Sequence, residues 1–195
     1  MKNILNKELV ERYSRQIVLK DVGPTGQKKI INSKVLVVGA GGLGCPVIDY
    51  LSRAGVGNIG VVDNDKVNIS NIHRQSLYNS KDVGKFKVNV VKQKIKLINP
   101  QVNIKTFRVR IEKKNIEKIF KNYHFIIDGS DNFKTKFLLN EYSLKYKKVL
   151  IVGAISKMDG HIFTFNFKNK KNTCLKCFYQ SEPSDEILNC EYEGI

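Results

Sequence analysis

The sequence predicts an α/β domain: a mainly parallel sheet flanked by helices, with an antiparallel extension and a cysteine-bearing C-terminal segment. Three observations carry this. Short apolar runs alternate with stretches of helical spacing, the pattern of a parallel sheet. The run Lys34–Val38 leads directly into "GAGGLG", a glycine turn followed by a helix-like pattern. Near the end, "GHIFTFNF" alternates apolar and polar residues, as a half-exposed antiparallel strand does.

The elements follow in order. Residues 1–33 are mixed and polar, with a helix expected around Lys7–Val18 and a Gly-Pro turn at Gly23-Pro24. Lys34–Val38 reads as a buried strand, followed by the glycine turn and a helix to about Ala54. "GVGNIGVVD" supplies a turn and a second strand ending at Asp63, and a polar loop runs on to about Gly84. Val88, Val91, Ile95 and Ile98 recur at helical spacing, and Asn99-Pro100 stops that helix. "VNIKTFRV" is a third strand, Lys113–Lys121 a short helix and "HFIID" a fourth strand. A helix over Asn132–Tyr146 and a fifth strand, "VLIVGA", complete a Rossmann-like alternation. Beyond about Asn166 the chain is polar and lacks a periodic core pattern.

Composition narrows the function classes. A chain of 195 residues, 42% hydrophobic, suffices for one domain with a real core. No apolar run reaches the roughly 20 residues that span a bilayer, and the N-terminus lacks the pattern of a signal peptide. A cytoplasmic protein without a membrane partner is expected. The net charge is +16, but lysines are spread along the whole chain, in company with abundant Asn and Ile. That is a compositional bias rather than a basic patch, which argues against a nucleic-acid partner. A basic surface still favours a nucleotide or an acidic protein. Cys45, Cys174, Cys177 and Cys190 do not have the spacing of a secreted disulfide framework.

Gly39, Gly41 and Gly44 fit G-x-G-x-x-G between strand and helix, with Gly42 inside the turn. Such a turn brings backbone N–H groups up to phosphate, and the helix dipole favours its charge. Asp63 closes the next strand, where an acid binds ribose hydroxyls. These features alone fit an NAD(P)-dependent oxidoreductase as well as an ATP enzyme. The loop "DNDKVNISNIHRQ" separates the two, because it carries Asp63, Asp65, Asn71, Arg74 and Gln75. A dehydrogenase needs no Arg and Asn cluster there, whereas a triphosphate needs its charge offset. Lys85 and Lys87 begin the next helix; read singly, each is a solvated surface charge, as Arg15 and Arg74 are surface ion-pair partners. Asp128 and Asp131 end the fourth strand, where an acid can hold Mg2+ against phosphate oxygens. The plainer reading of Asp131 is a helix N-cap, and the two roles are compatible. His73, His124 and His161 are scattered and form no nucleophile–base set. The pair Cys174-x-x-Cys177 fits half a zinc site, a redox pair or chance.

"RYSRQ" (Arg12–Gln16), "GAGGLGCP", "AGVGNIGVVDNDKVNISNIHRQ", "VGKFK", "INP", "DGSDN" and "CLKC" stand in this order. In that order they resemble the ThiF/MoeB/HesA family of bacterial adenylating enzymes, relatives of ubiquitin-activating enzymes. The resemblance covers about residues 8–195 and is specific as an ordered set, although the glycine turn alone is weak. It implies a single ThiF-type adenylation domain over 1–195, which is expected to lack its C-terminal end. It implies that ATP and the C-terminal glycine of a ubiquitin-like sulfur carrier ending in Gly-Gly form an acyl adenylate and pyrophosphate. The carrier would serve thiamine or molybdopterin biosynthesis.

The resemblance also assigns roles: Asp63 to ribose, Asp131 to Mg2+, and Asn71, Arg74 and Lys87 to phosphates. The glycine turn and Asp65 complete the nucleotide site, with Lys85 the less favoured lysine. Arg15 matches an arginine that family members supply across a homodimer interface, the logic of an arginine finger. Cys174 and Cys177 would hold zinc together with a second C-x-x-C, which is not in this sequence; Cys190 as a third ligand is a weaker alternative. Cys190 also matches a cysteine that some members link to the carrier, against the alternative of an inert thiol. Cys45 is read as packing. A noncatalytic module that binds ubiquitin-like proteins stands as the rival from another class.

Overall fold

The computed structural model describes residues 5–156, 158–169 and 173–179. Six strands form one sheet in the order β3-β2-β1-β4-β5-β6. They are β1 (Lys34–Val38), β2 (Asn58–Val62), β3 (Asn103–Phe107), β4 (Phe125–Asp128), β5 (Val149–Ser156) and β6 (Asp159–Asn166). The first five run parallel, and β6 returns antiparallel along β5. Val38 stands opposite Val62 on one side and Asp128 on the other. The carboxyl ends of β2, β1 and β4 are therefore level, and the loops that leave them start side by side. The strand order reverses between β1 and β4, which is where sheets of this kind open a ligand crevice.

Period-two alternation builds two cores. Val35, Val37, Ile59 and Val61 face α4 (Gly44–Ala54) and α5 (Lys87–Ile98). Leu36, Val38, Ile126, Leu150 and Val152 face α6 (Lys113–Phe120) and α7 (Phe133–Lys145). Because central parallel strands are covered on both faces, they read as continuous apolar runs. No helix among the described residues is long and apolar enough to cross a membrane.

The expected elements are present, with four corrections. The helix expected over Lys7–Val18 is broken at Tyr13 into α1 (Lys7–Arg12) and α2 (Ser14–Ile17). Tyr13 leaves helical backbone and is 2% exposed, and its hydroxyl accepts a hydrogen bond from Asn99 Nδ2 at 2.9 Å. Gly23-Pro24 opens a helix, α3 (Gly23–Asn32), instead of making a turn. A proline in the first helical turn forfeits no hydrogen bond, since that N–H has no intrahelical partner. Third, β3 stops at Phe107, and Arg108 turns out to lay its guanidinium 4.4 Å from the Phe86 ring centroid. Last, the polar stretch beyond Asn166 contains α8 (Leu175–Phe178), docked on α7 by a bond from Leu175 N–H to Asn140 Oδ1 at 2.9 Å.

Gly55 ends α4 in the left-handed region, at φ +87°. A Cβ there would overlap the Tyr13 ring. Gly55→Ala should therefore lower stability in urea unfolding by about 2 kcal/mol or more, from backbone strain and displacement of Tyr13 together. A loss under a few tenths of a kcal/mol would contradict this packing.

Candidate nucleotide site

A crevice of about 620 Å3 opens at the carboxyl ends of β1, β2 and β4. Gly39, Gly41, Gly42, Asp63, Asp65, Asn71, Arg74, Lys87 and Asp131 all line it. Residues spread over more than ninety positions of sequence thus meet in one place because three strand ends are level. Gly44 lies beneath the turn, packed against the Gly39 carbonyl, and does not line the crevice.

Gly39 has φ +91°, and a Cβ there would overlap the Gly129 carbonyl. The glycine turn and the loop after β4 touch backbone to backbone. Ala40, inside the turn, is fixed at both polar atoms. Its N–H donates to Asp63 Oδ2 at 2.8 Å, and its carbonyl accepts from Tyr78 Oη at 2.8 Å and Cys45 Sγ at 3.3 Å. Burial pushes the Cys45 thiol and the Tyr78 hydroxyl up, which keeps both protonated as donors. This supports the reading of Cys45 as packing.

Asp63 also accepts from the Asp65 N–H, through Oδ1, at 2.8 Å. Burial pushes the Asp63 carboxyl above the ordinary aspartate value, against the opposing pull of Lys87 and the two N–H groups. Each carboxylate oxygen keeps a lone pair for a further donor. Lys87 is 7% exposed at its side chain, and its Nζ lies 3.1 Å from Asp65 Oδ2. Lys85 instead pairs with Asp82 at 3.3 Å and does not line the crevice. The stem of Arg74 lies against Gly42, and its Nη1 is 3.0 Å from His73 Nε2.

Asp131 is exposed, and Asn132 Nδ2 donates to its Oδ1 at 3.1 Å. The N-cap of α7 is Asn132, which accepts from Thr135 N–H at 2.9 Å. The plainer reading of Asp131 as a cap is thus corrected, and its carboxylate faces the crevice. Asp128 is buried and occupied: it accepts from the Ser130 N–H and hydroxyl and pairs with Lys136 Nζ at 3.3 Å. Sequence reasoning missed Lys136. Its signal was present, since Phe133, Lys136, Phe137 and Asn140 share one helix face, and a lysine in such a stripe is buried beside an acceptor.

Among the described residues, no group of three or more His, Cys, Asp or Glu side chains is gathered to hold a metal. Asp131 alone would have to share Mg2+ with substrate oxygens and water, as that ion commonly allows. Cys174 and Cys177 have Sγ atoms 3.4 Å apart. Two sulfurs of a tetrahedral zinc–thiolate site are about 3.8 Å apart, so the pair fits half of one. Burial raises the Cys174 thiol, but hydrogen bonds from Cys177, Asn140 and backbone outweigh it and leave the thiol below its ordinary value. Cys190 lies outside the described residues.

Arg15 is exposed and lies on α2, far from this crevice. Gln16 Nε2 donates to the Ala54 carbonyl at 3.2 Å, which places α2 at the C-terminal end of α4. The N-terminal end of α4 adjoins the glycine turn, and 11 residues of helix run about 16 Å. Arg15 does not reach the crevice of its own chain.

The ThiF family model matches residues 13–195. A sulfur carrier protein adenylyltransferase of Thermus thermophilus is 39% identical over 193 residues, covering 97% of this chain and 71% of that protein. A "Probable molybdopterin-synthase adenylyltransferase" of Gracilaria tenuistipitata is 43% identical, covering 99% of this chain and 55% of its own length. The crystal structure of E. coli MccB with MccA-N7isoASN superimposes with a TM-score of 0.77 at 25% identity. That match covers 85% of this chain and 50% of MccB, so the chain spans about half of several relatives. The chain belongs to the ThiF family.

The Asp63 carboxyl has a folded value above its unfolded one. Its ionisation therefore costs stability, and the cost appears as pH rises through the folded value. Lys87 opposes the shift, so Lys87→Met should move the Asp63 titration further up, read from the carboxyl carbon by NMR. A downward movement would contradict the assigned geometry.

Proposed function

We propose that the chain catalyses ATP-dependent adenylylation of the C-terminal glycine of a ubiquitin-like sulfur-carrier protein. The observation that carries this reading is the meeting of the glycine turn, Asp63, Arg74, Lys87 and Asp131 in one crevice. The activities after which the Thermus and Gracilaria relatives are named support it. The Gracilaria name favours a carrier for molybdopterin synthesis over one for thiamine.

In this reading the adenosine ribose donates to Asp63, and the triphosphate lies along the glycine turn toward Asn71, Arg74 and Lys87. Asp131 would hold Mg2+, which would offset phosphate charge as pyrophosphate leaves. The carrier's terminal carboxylate attacks the α-phosphorus; an O–P bond forms and the bond to the β-phosphate oxygen breaks. The nucleophile is already ionised, so no general base is needed, and positioning and charge stabilisation do the catalysis. An apolar groove of about 320 Å3 beside the crevice, lined by Leu43, Val47, Ile151 and Ile162, offers the tail a path. It shares Leu43, Gly129, Ala154 and Ile155 with the nucleotide crevice. The active unit is a cytoplasmic homodimer, with Arg15 of one subunit at the other's phosphates. Cys174 and Cys177 supply half of a structural zinc site.

ATP–pyrophosphate exchange that depends on a Gly-Gly-ended carrier is the expected activity, with ATP and not NAD bound in calorimetry. Asp131→Ala should cut exchange by at least about 100-fold in a folded protein, since metal-assisted stabilisation is worth several kcal/mol. Near-normal exchange would remove Asp131 from the site. The dimer is tested by mixing Arg15→Ala and Asp131→Ala subunits, each inactive alone. A mixed dimer has one site with both defects and one with neither, so activity should return in part. No recovery, with subunit exchange confirmed by native mass spectrometry, would place Arg15 outside the partner's site.

A further inference from the structure

The geometry points to Lys136 as a positioning residue that holds the Ser130–Asp131 loop at the crevice without touching the nucleotide. The assignment of the loop to Mg2+ and ATP rests on the proposed function; the strut itself does not.

Lys136 lies in the second turn of α7, and its side chain is 2% exposed. Its ammonium has three hydrogens and three acceptors within reach. They are Asp128 Oδ2 at 3.3 Å, the Ser130 carbonyl at 2.7 Å and the Gly153 carbonyl at 2.8 Å. These belong to the end of β4, the loop after it and the middle of β5. Asp128 and Val152 are paired across β4 and β5, so Gly153 is one step beyond the last paired residue. There the two strands stop bonding to each other, and the crevice begins. The ammonium replaces the missing ladder bonds with one cation shared by both sides.

Lys136 lines the crevice, yet every one of its hydrogens is spent inward. A lysine that binds phosphate must keep a hydrogen for it. This one instead fixes the carbonyl of Ser130, and Asp131 is the next residue. Asp128 completes the fixture, because its Oδ1 accepts from the Ser130 N–H at 2.9 Å and the Ser130 hydroxyl at 2.6 Å. Ser130 is thus held at N–H, side chain and carbonyl. The freedom left to Asp131 is that of its own side chain.

Lys136→Met alone would strand the buried Asp128 carboxylate, and that variant would confuse misfolding with mispositioning. The double variant Lys136→Met/Asp128→Asn removes both charges and keeps the volumes. In hydrogen exchange of the nucleotide-free protein, its amides from Gly129 to Thr135 should exchange about tenfold faster, with β1 and β2 unchanged. In calorimetry, the gain in ATP affinity on adding Mg2+ should shrink by about tenfold, the cost of a carboxylate displaced by about 1 Å. A folded double variant with normal protection of that loop overturns the strut. Faster exchange with a normal Mg2+ gain overturns its bearing on Asp131. A wild-type protein that gains nothing from Mg2+ sinks the nucleotide reading, while the exchange result still decides the strut. Should the double variant not fold, the 15N signal of the Lys136 ammonium in the unaltered protein decides. It should be shielded from exchange and should not shift on addition of ATP; a shift would make Lys136 a phosphate ligand instead.

Discussion

The structure depends on the fixing of Ala40. Its N–H is taken by Asp63 from the end of β2, and its carbonyl by Tyr78 from the loop beyond. The flanking Gly39 N–H donates to the Val62 carbonyl at 2.9 Å, and the Gly129 N–H to the Val38 carbonyl at 2.8 Å. Backbone carbonyls of the sheet take the Gly39 and Gly129 N–H groups, and side chains from elsewhere take both polar atoms of Ala40. In consequence Tyr78 fixes where Arg74 and Gln75 stand relative to the glycine turn, since only two residues separate Gln75 from Tyr78. Asp63 likewise braces the turn and presents its remaining lone pairs to the crevice. In the proposed function, structure and binding run through the same carboxylate.

The cations of the crevice differ in how far they are already neutralised. Lys136 is paired with Asp128 and two carbonyls, and Lys87 with Asp65. Asp65 is 58% exposed at its side chain, so that pair opens easily toward an incoming anion. Among the described residues Arg74 pairs with no carboxylate, and its neighbour His73 accepts only when neutral. The gradient runs from a spent cation, Lys136, to an available one, Arg74. The net charge of +16 raises the local concentration of anions.

Much of this was legible in the sequence where the cause is local. The strands, the glycine turn and the stop at Asn99 follow from periodicity and turn chemistry within a few residues. Ten of the crevice residues were also named from sequence, by their place after strand ends and by the ordered motifs. Two of the misses have distant causes. Tyr13 breaks its helix because Asn99, 86 residues away, donates to its hydroxyl. Lys136 is a spent strut because β5 delivers the Gly153 carbonyl from 17 residues further on. Asp131 lost the cap to Asn132 by one position, a margin that propensity does not resolve, since both residue types cap well.

The anchoring of α2 fits the role proposed for Arg15. This helix is four residues long and buries none of them, so by itself it would not hold a shape. Yet it is fastened on both sides. Tyr13, at its N-terminal end, is buried beneath Gly55 and bonded to Asn99, and Gln16 is bonded to the Ala54 carbonyl. Arg12, just before it, donates to the Ile98 carbonyl at 3.3 Å. Three residues of "RYSRQ" thus serve attachment, and Arg15 is left pointing outward with no hydrogen bond or ion pair among the described residues. Fixing the backbone of an exposed arginine gains the monomer nothing. It lowers the entropy lost when that arginine is ordered against another molecule. With its own crevice an entire helix length away, this anchoring suits the role proposed for Arg15 at the phosphates of a second subunit.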